Sequence, residues 1–152
     1  MVDEVLDPGD MLYTVTGGYR HGEKVEPNEI GYRAYLRATS KNPPNFGPGF
    51  CARSLAAAMG IDSPGDAYQW PRNLRKRGWR MREGYVAPYD IICYHNREGS
   101  TYRGYSKKSK RYYGHVGIAV PDGAGGLRLF SNMNGQWRYT SLGKGWVAMY
   151  KP

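Results

Sequence analysis

Glycine and proline punctuate this chain so densely that no long regular element fits between them. There are 21 glycines and 10 prolines among 152 residues, and each marks a probable turn, cap or break. The fold must therefore be assembled from short pieces, with the 14 tyrosines and 4 tryptophans supplying much of the apolar area. Residues 11–16 read as a strand and 17–24 as a loop. Residues 27–38 read as a helix with Pro27 early and Glu29 in its first turn. Three prolines and two glycines make residues 42–49 irregular. Cys51 to Met59 is an Ala- and Leu-rich helix closed by Gly60, with Leu55, Ala58 and Met59 on one face. Residues 66–78 form a second helical stretch that Pro71 interrupts or restarts. Strands follow at 89–94, 115–120, 127–131 and 146–150, the middle two joined by a Gly-rich hairpin turn at 122–126. Helices first and antiparallel strands after predict an α+β domain.

The length of 152 residues fits one domain with a core that needs no disulfide or metal staple. No window approaches the ~18 apolar residues of a membrane-spanning helix. The net charge is +9, and two tracts carry it. Residues 72–83 hold six basic side chains and one Glu, and residues 97–111 hold the same, so the remainder is close to neutral. Concentrated cations point to a polyanionic partner: a phosphate-bearing wall polymer, a nucleic acid or an anionic membrane surface. The two cysteines are too few for a disulfide framework. Residues 1–10 carry four acids and no basic, apolar leader. The expectation is synthesis in a cytoplasm, with any outside target reached by separate export, lysis or a virion.

Cys51 is the most informative residue. It stands where the Pro/Gly-rich loop meets a helix start, whose first amides lack intrahelical partners and carry positive potential. A thiol there is expected to shift toward thiolate, and the amides can receive an oxyanion. The plainer alternative is a buried packing cysteine. Of three histidines, His115 opens the segment Gly114-His115-Val116-Gly117-Ile118-Ala119-Val120 and starts a buried strand. An imidazole there can face the end of a packed helix, as a Cys–His pair requires. It can equally be a satisfied core histidine. A third group must hold the ring. Asn132 and Asn134, two apart in Ser131-Asn132-Met133-Asn134, are both available, and both also suit a turn before Gly135.

Taken in order, these segments resemble the CHAP domain, the cysteine, histidine-dependent amidohydrolase/peptidase of the NlpC/P60 and papain-like group. Phe50-Cys51-Ala52-Arg53 is similar to its nucleophile segment. Gly65-Asp66-Ala67-Tyr68-Gln69-Trp70 is similar to its Gly-x-Ala-x-x-Trp stretch. Val86-Ala87-Pro88-Tyr89-Asp90-Ile91-Ile92 resembles its Pro-x-x-Gly-Asp-Ile-Val strand entry. Gly114-His115-Val116 resembles the histidine strand, and Ser131-Asn132-Met133-Asn134 the Ser-Glu-x-Asn segment. The resemblance spans roughly residues 45–150, and the order of the five pieces carries it rather than any one. Asn132 stands where many relatives have Glu, Tyr89 where Gly precedes the Asp, and residues 97–113 form a long basic, Tyr-rich insert.

The resemblance implies a papain-like α+β fold, with N-terminal helices packed on an antiparallel sheet. Residues 1–44 would be an extension packed on a hydrolase domain of residues 45–152. It implies a thiol hydrolase cutting amide bonds of bacterial peptidoglycan, in a phage-type lysin or virion-borne wall hydrolase. Cys51 would attack, His115 would shuttle the proton, and Asn132 would fix the ring. Trp70, Asn134 and Tyr113 are the expected substrate contacts. No cofactor and no metal are expected, and the chain is expected to act as a monomer.

Cys93 reads as core. Zinc on Cys51, Cys93 and His95 lacks the usual ligand spacing, and no acidic cluster near Cys51 resembles a calcium loop. His95 reads as exposed at a strand end, His21 as a residue of a Gly-flanked loop, and Asp90 as a carboxylate satisfying backbone donors. The tract from Tyr102 to Tyr113 interleaves Tyr with Lys and Arg, which suits nucleic acid or wall polymer. A basic binding module on a catalytically silent scaffold is therefore the alternative function.

Overall fold

A computed structural model of the protein describes residues 12–14, 19–20, 27–94 and 99–152. Its strands and helices, in chain order, begin with β1 (Leu12–Thr14) and β2 (Tyr19–Arg20), then α1 (Glu29–Ala38) and α2 (Cys51–Met59). A 3-10 turn, Ala67–Gln69, runs directly into α3 (Trp70–Lys76). The strands β3 (Arg80–Met81), β4 (Tyr85–Val86), β5 (Ile91–Tyr94), β6 (Tyr105–Ser106) and β7 (Arg111–Tyr112) follow. The chain ends with β8 (His115–Pro121), β9 (Leu127–Met133), β10 (Gln136–Thr140) and β11 (Trp146–Tyr150). Among the described residues the class is α+β: three short helices and a mostly antiparallel sheet. The main sheet has the order β10-β9-β8-β5-β11-β3, while β2-β1-β4 and the hairpin β6-β7 are separate. No helix among the described residues is long and apolar enough to cross a membrane.

The helices form where local chemistry allows it. Asn28 caps α1 by accepting from the Gly31 N–H at 3.2 Å, and its amide donates to the Met149 carbonyl at 3.2 Å. One residue thus starts a helix and ties it to the last strand. Gly60 ends α2 with φ 72, and Ile61 N–H reaches the Ala56 carbonyl while Gly60 N–H reaches Ala57. These are the paired bonds of a Schellman close. Pro71 sits in the first turn of α3, where its missing N–H costs nothing, so it restarts the helix rather than breaking it.

Strand alternation splits the core. Ile91, Cys93, Val116, Ile118, Val120, Phe130 and Met149 face the helices, with Ala52, Leu55, Ala58 and Met59 of α2 and Ala34 and Ala38 of α1. Ile92, Tyr94, Ala119, Leu129 and Ala148 face the other way, with Val86 and Leu142. Ala34 and Ala38 of α1 therefore share the central core. The two-residue strands β2, β3, β4, β6 and β7, and the five-residue β10, lie beyond the strands expected from the sequence. A two-residue strand shows no alternation to detect. For β10 a signal existed: Asn134-Gly135 joins Met133 and Gln136 as a two-residue turn, with φ 51 and 78.

Tyr89 departs from the strand expected over 89–94. It turns in the left-handed region at φ 66, a conformation that favours glycine, and β5 starts at Ile91. Its ring is held edge-on to Tyr32 at 4.9 Å and against Tyr35 at 5.7 Å. Gly31 makes room for it: a Cβ there would lie 1.8 Å from the Tyr89 carbonyl oxygen. Gly31→Ala should therefore lower stability by about 1–3 kcal/mol, as overpacking against backbone does. A urea midpoint equal to the parent protein's would show that this contact is not held tight.

Candidate active site

Cys51 is the first residue of α2, preceded by Phe50, which makes no side-chain cap. The loop that delivers it is fastened on several sides. Phe46 N–H donates to Ser54 Oγ at 3.0 Å, and Asn45 donates to the Gly135 carbonyl at 2.7 Å. Trp137 Nε1 donates to the Pro44 carbonyl at 2.9 Å. An irregular, proline-rich segment is thereby held against the β9–β10 hairpin, and the helix start is fixed over the sheet.

β8 and β9 pair from Pro121↔Leu127 to Ile118↔Phe130, and the recorded ladder stops there. The backbone N–H groups of Val116, Ala52 and Cys51 itself act on the Cys51 thiol to lower its value. These amides favour a thiolate, and they are the donors that can meet a developing oxyanion. Burial opposes them and is the larger effect, so the thiol is pushed up from its ordinary value, not down. This corrects the expectation of an activated thiolate from helix position alone: the dipole acts, but desolvation outweighs it.

His115 is paired across β5 with Tyr94, on the sheet face away from α2. Its Nε2 is 2.9 Å from Ser131 Oγ, and its ring lies near Tyr94 and Tyr102 at centroid distances of 6.0 and 5.8 Å. Burial pushes the imidazole down to about 4, so it is neutral at pH 7. Gly117 permits the Ser131 contact, because a Cβ there would fall 2.8 Å from Ser131 Cβ and 2.5 Å from a Leu129 methyl.

Asn132 alternates to the helix side. Its amide donates to Asn45 Oδ1 at 3.3 Å, and its own Oδ1 is buried with no hydrogen-bond partner among the described residues. The imidazole is thus held by Ser131 in this structure, and Asn132 by the Asn45 loop. Ser131 was within the quoted Ser-Asn-Met-Asn stretch. Its role was visible only through strand parity, since Ser131 and His115 share a face.

Cys51, His115, Asn132, Asn134 and Tyr113 all border one open cleft of about 970 Å³, whose wall also carries Arg53, Arg103, Arg138 and Asp66. Cys51 and His115 approach it from opposite faces of the sheet, and no hydrogen bond joins them. Tyr113 donates its hydroxyl to Ser109 at 2.8 Å. Trp70, expected to touch substrate, is instead a core residue: it is fully buried and its indole N–H is spent on the Gly65 carbonyl at 3.1 Å.

Cys93 is fully buried among apolar side chains, which pushes its thiol far up. Asp90 is also fully buried. It accepts from Arg82 Nε at 2.9 Å and from the Ala87 N–H at 2.9 Å. His21 and His95 lie outside the described residues. Among the described residues no three His, Cys, Asp or Glu side chains gather as a metal site would require. Comparison with protein-family models, with curated proteins and with solved structures gave no match.

Two outcomes follow. Iodoacetamide alkylation of Cys51 in the free protein should reach half its maximal rate above pH 9.0, the ordinary thiol value here; a midpoint below that would mean the amides outweigh burial. His115 should also make stability pH-dependent. Its value falls from 6.5 unfolded to about 4 folded, so the unfolded chain binds the extra proton between them. Stability from this group is complete above 6.5 and is lost as pH falls toward 4, by roughly 3 kcal/mol at most. Urea midpoints from pH 7 to 4 should fall less steeply for His115→Gln. The difference between the two proteins isolates His115 from Asp90, whose carboxyl burial raises to about 6 and which acts in the opposite sense. Parallel curves would contradict the assignment.

Proposed function

We propose that this protein is a CHAP-like thiol hydrolase that cuts amide bonds of peptidoglycan. The observation that carries the reading is the placement of Cys51 as the first residue of α2, in a cleft that His115 and Asn132 also border, with nearby backbone amides favouring its thiolate. Such amides offer both a nucleophile position and an oxyanion position, which acyl transfer needs together. The α+β architecture, with helices packed on an antiparallel sheet, is compatible with the papain-like group but does not single it out.

This mechanism needs the end of β8 to shift, so that the imidazole leaves Ser131 and enters the shared cleft on the helix side. The hydrogen bond given up is worth about 0.5–1.5 kcal/mol net. Asn132 Oδ1, buried without a partner on that side, then accepts from the ring and holds its tautomer. His115 takes the thiol proton as Cys51 attacks the carbonyl carbon. A tetrahedral oxyanion forms on the amides, and the imidazolium protonates the leaving amine. Water hydrolyses the thioester by the reverse proton path.

A second reading is favoured by one specific observation: the resting thiol is pushed up and the imidazole lies across the sheet from it. That arrangement suits a binding module on a silent scaffold.

Purified peptidoglycan incubated with the protein separates the two. Mass spectrometry should find soluble muropeptides that fall at least a hundredfold with Cys51→Ala and with His115→Ala, while folding is preserved by circular dichroism. Their new termini identify amidase or endopeptidase cleavage. Equal product from parent and Cys51→Ala across several wall types would overturn the hydrolase reading.

A further inference from the structure

The insert between β5 and β8 builds a defined device beside the cleft. Tyr105–Ser106 and Arg111–Tyr112 pair as a two-stranded hairpin, Tyr105 opposite Tyr112 and Ser106 opposite Arg111. Its base is fixed: Tyr113 N–H donates to the Gly104 carbonyl at 2.9 Å and Gly114 N–H to Arg103 at 2.7 Å. The Tyr113 carbonyl accepts from Tyr68 N–H at 2.8 Å, which ties the hairpin to the turn before α3. The tip is Lys107-Lys108-Ser109-Lys110, exposed throughout. Lys110 stands at φ 55, in the left-handed region where glycine or asparagine is at ease. A cation is thus kept at a backbone position that disfavours it, beside two more cations that repel it.

Tyr112 and Tyr113 of the hairpin are already occupied by arginines, while Tyr105 is half exposed. Tyr112 packs against Tyr105 at 4.8 Å, and the Arg103 guanidinium lies over it at 4.8 Å. The Arg111 guanidinium lies over Tyr113 at 4.6 Å. A run of stacked bases needs successive open ring faces; here Tyr112 and Tyr113 brace arginines, Tyr105 alone of the three is half exposed, and the lysines are left as point charges. Arg111 meets Asp66 at 3.5 Å, a half-exposed pair too weak to cancel the field. Phosphates that carry no bases are the matching ligand.

We propose that the Tyr105–Tyr112 hairpin binds a linear polyol-phosphate polymer of the bacterial wall, seating the protein on its target with the cleft alongside. This rests on the wall being the target, as in the proposed function, but not on the chemistry of Cys51. The test therefore uses the full chain carrying Cys51→Ala, so that binding is read without cleavage. Sedimentation measures binding to purified Gram-positive walls, intact or stripped of phosphodiester polymer by hydrofluoric acid. Stripping should weaken binding at least tenfold, and the triple variant Lys107→Gln, Lys108→Gln, Lys110→Gln should lose as much on intact walls and nothing further on stripped ones. Binding to intact walls should fall roughly tenfold to a hundredfold between 50 and 200 mM salt. A thermal midpoint unchanged in the triple variant keeps the comparison clean, and if it falls, Lys108→Gln alone should still weaken binding severalfold. Equal binding to intact and stripped walls would overturn the proposal. So would tighter binding to a single-stranded DNA 20-mer than to intact walls, which would make the hairpin a nucleic-acid surface. Muropeptide release by the parent protein is scored separately, so a failed hydrolase and a failed hairpin give different results.

Discussion

β8 is buried on both faces, and what each face must accept organises the molecule. Toward the helices it presents Val116, Ile118 and Val120, over which the small residues of α2 lie close. Toward the opposite side it presents His115, Gly117 and Ala119, which meet Tyr94, Leu129 and Ser131. A strand committed on both faces cannot slip by one residue without exchanging an imidazole for a valine in each layer. The register is therefore held by chemistry as well as by apolar area. The same constraint bears on the site, since the Val116 amide that acts on the Cys51 thiol belongs to this strand.

A second knot secures the strand next to it. Asp90 is withdrawn from water yet accepts from Arg82 and from the Ala87 amide, while Arg82 also lies over the Tyr150 ring at 3.7 Å and donates to Tyr85 at 3.0 Å. Three side chains, Asp90, Tyr85 and Tyr150, converge on one guanidinium. Removing either partner would leave a buried charge uncompensated, which is far costlier than the pair is stabilising. This knot and the turn at Tyr89 together decide where β5 begins, and so where β8 can pair.

The chemistry of the cleft is a contest between dipoles and desolvation. Backbone amides draw Cys51 toward thiolate, and the surrounding apolar packing draws it back further. The imidazole is kept neutral by the same burial and is satisfied by a hydroxyl. The cationic wall of Arg53, Arg103 and Arg138 adds a field that favours an anionic species in the cleft, whether a bound carboxylate or a thiolate.

The α+β class, the limits of α2, the irregular loop before it, the restart at Pro71 and the closing strand were all legible in the sequence. They rest on local physics: caps, fixed proline φ, left-handed glycine and apolar periodicity act within a few residues. Cys93 as core and Asp90 as a bonded carboxylate were legible for the same reason, since each sits in an apolar run beside available donors. The short strands were not, because a two-residue pair exists only through its partner. The burial of Trp70 was not, because residue type marks a large aromatic without saying which way it faces. Nor was the division of Cys51 and His115 between two faces of one sheet, since parity has meaning only once strands are paired and a helix has chosen a side. Local chemistry fixed which residues are available; the tertiary structure alone decided which of them water can reach and which partner each one holds.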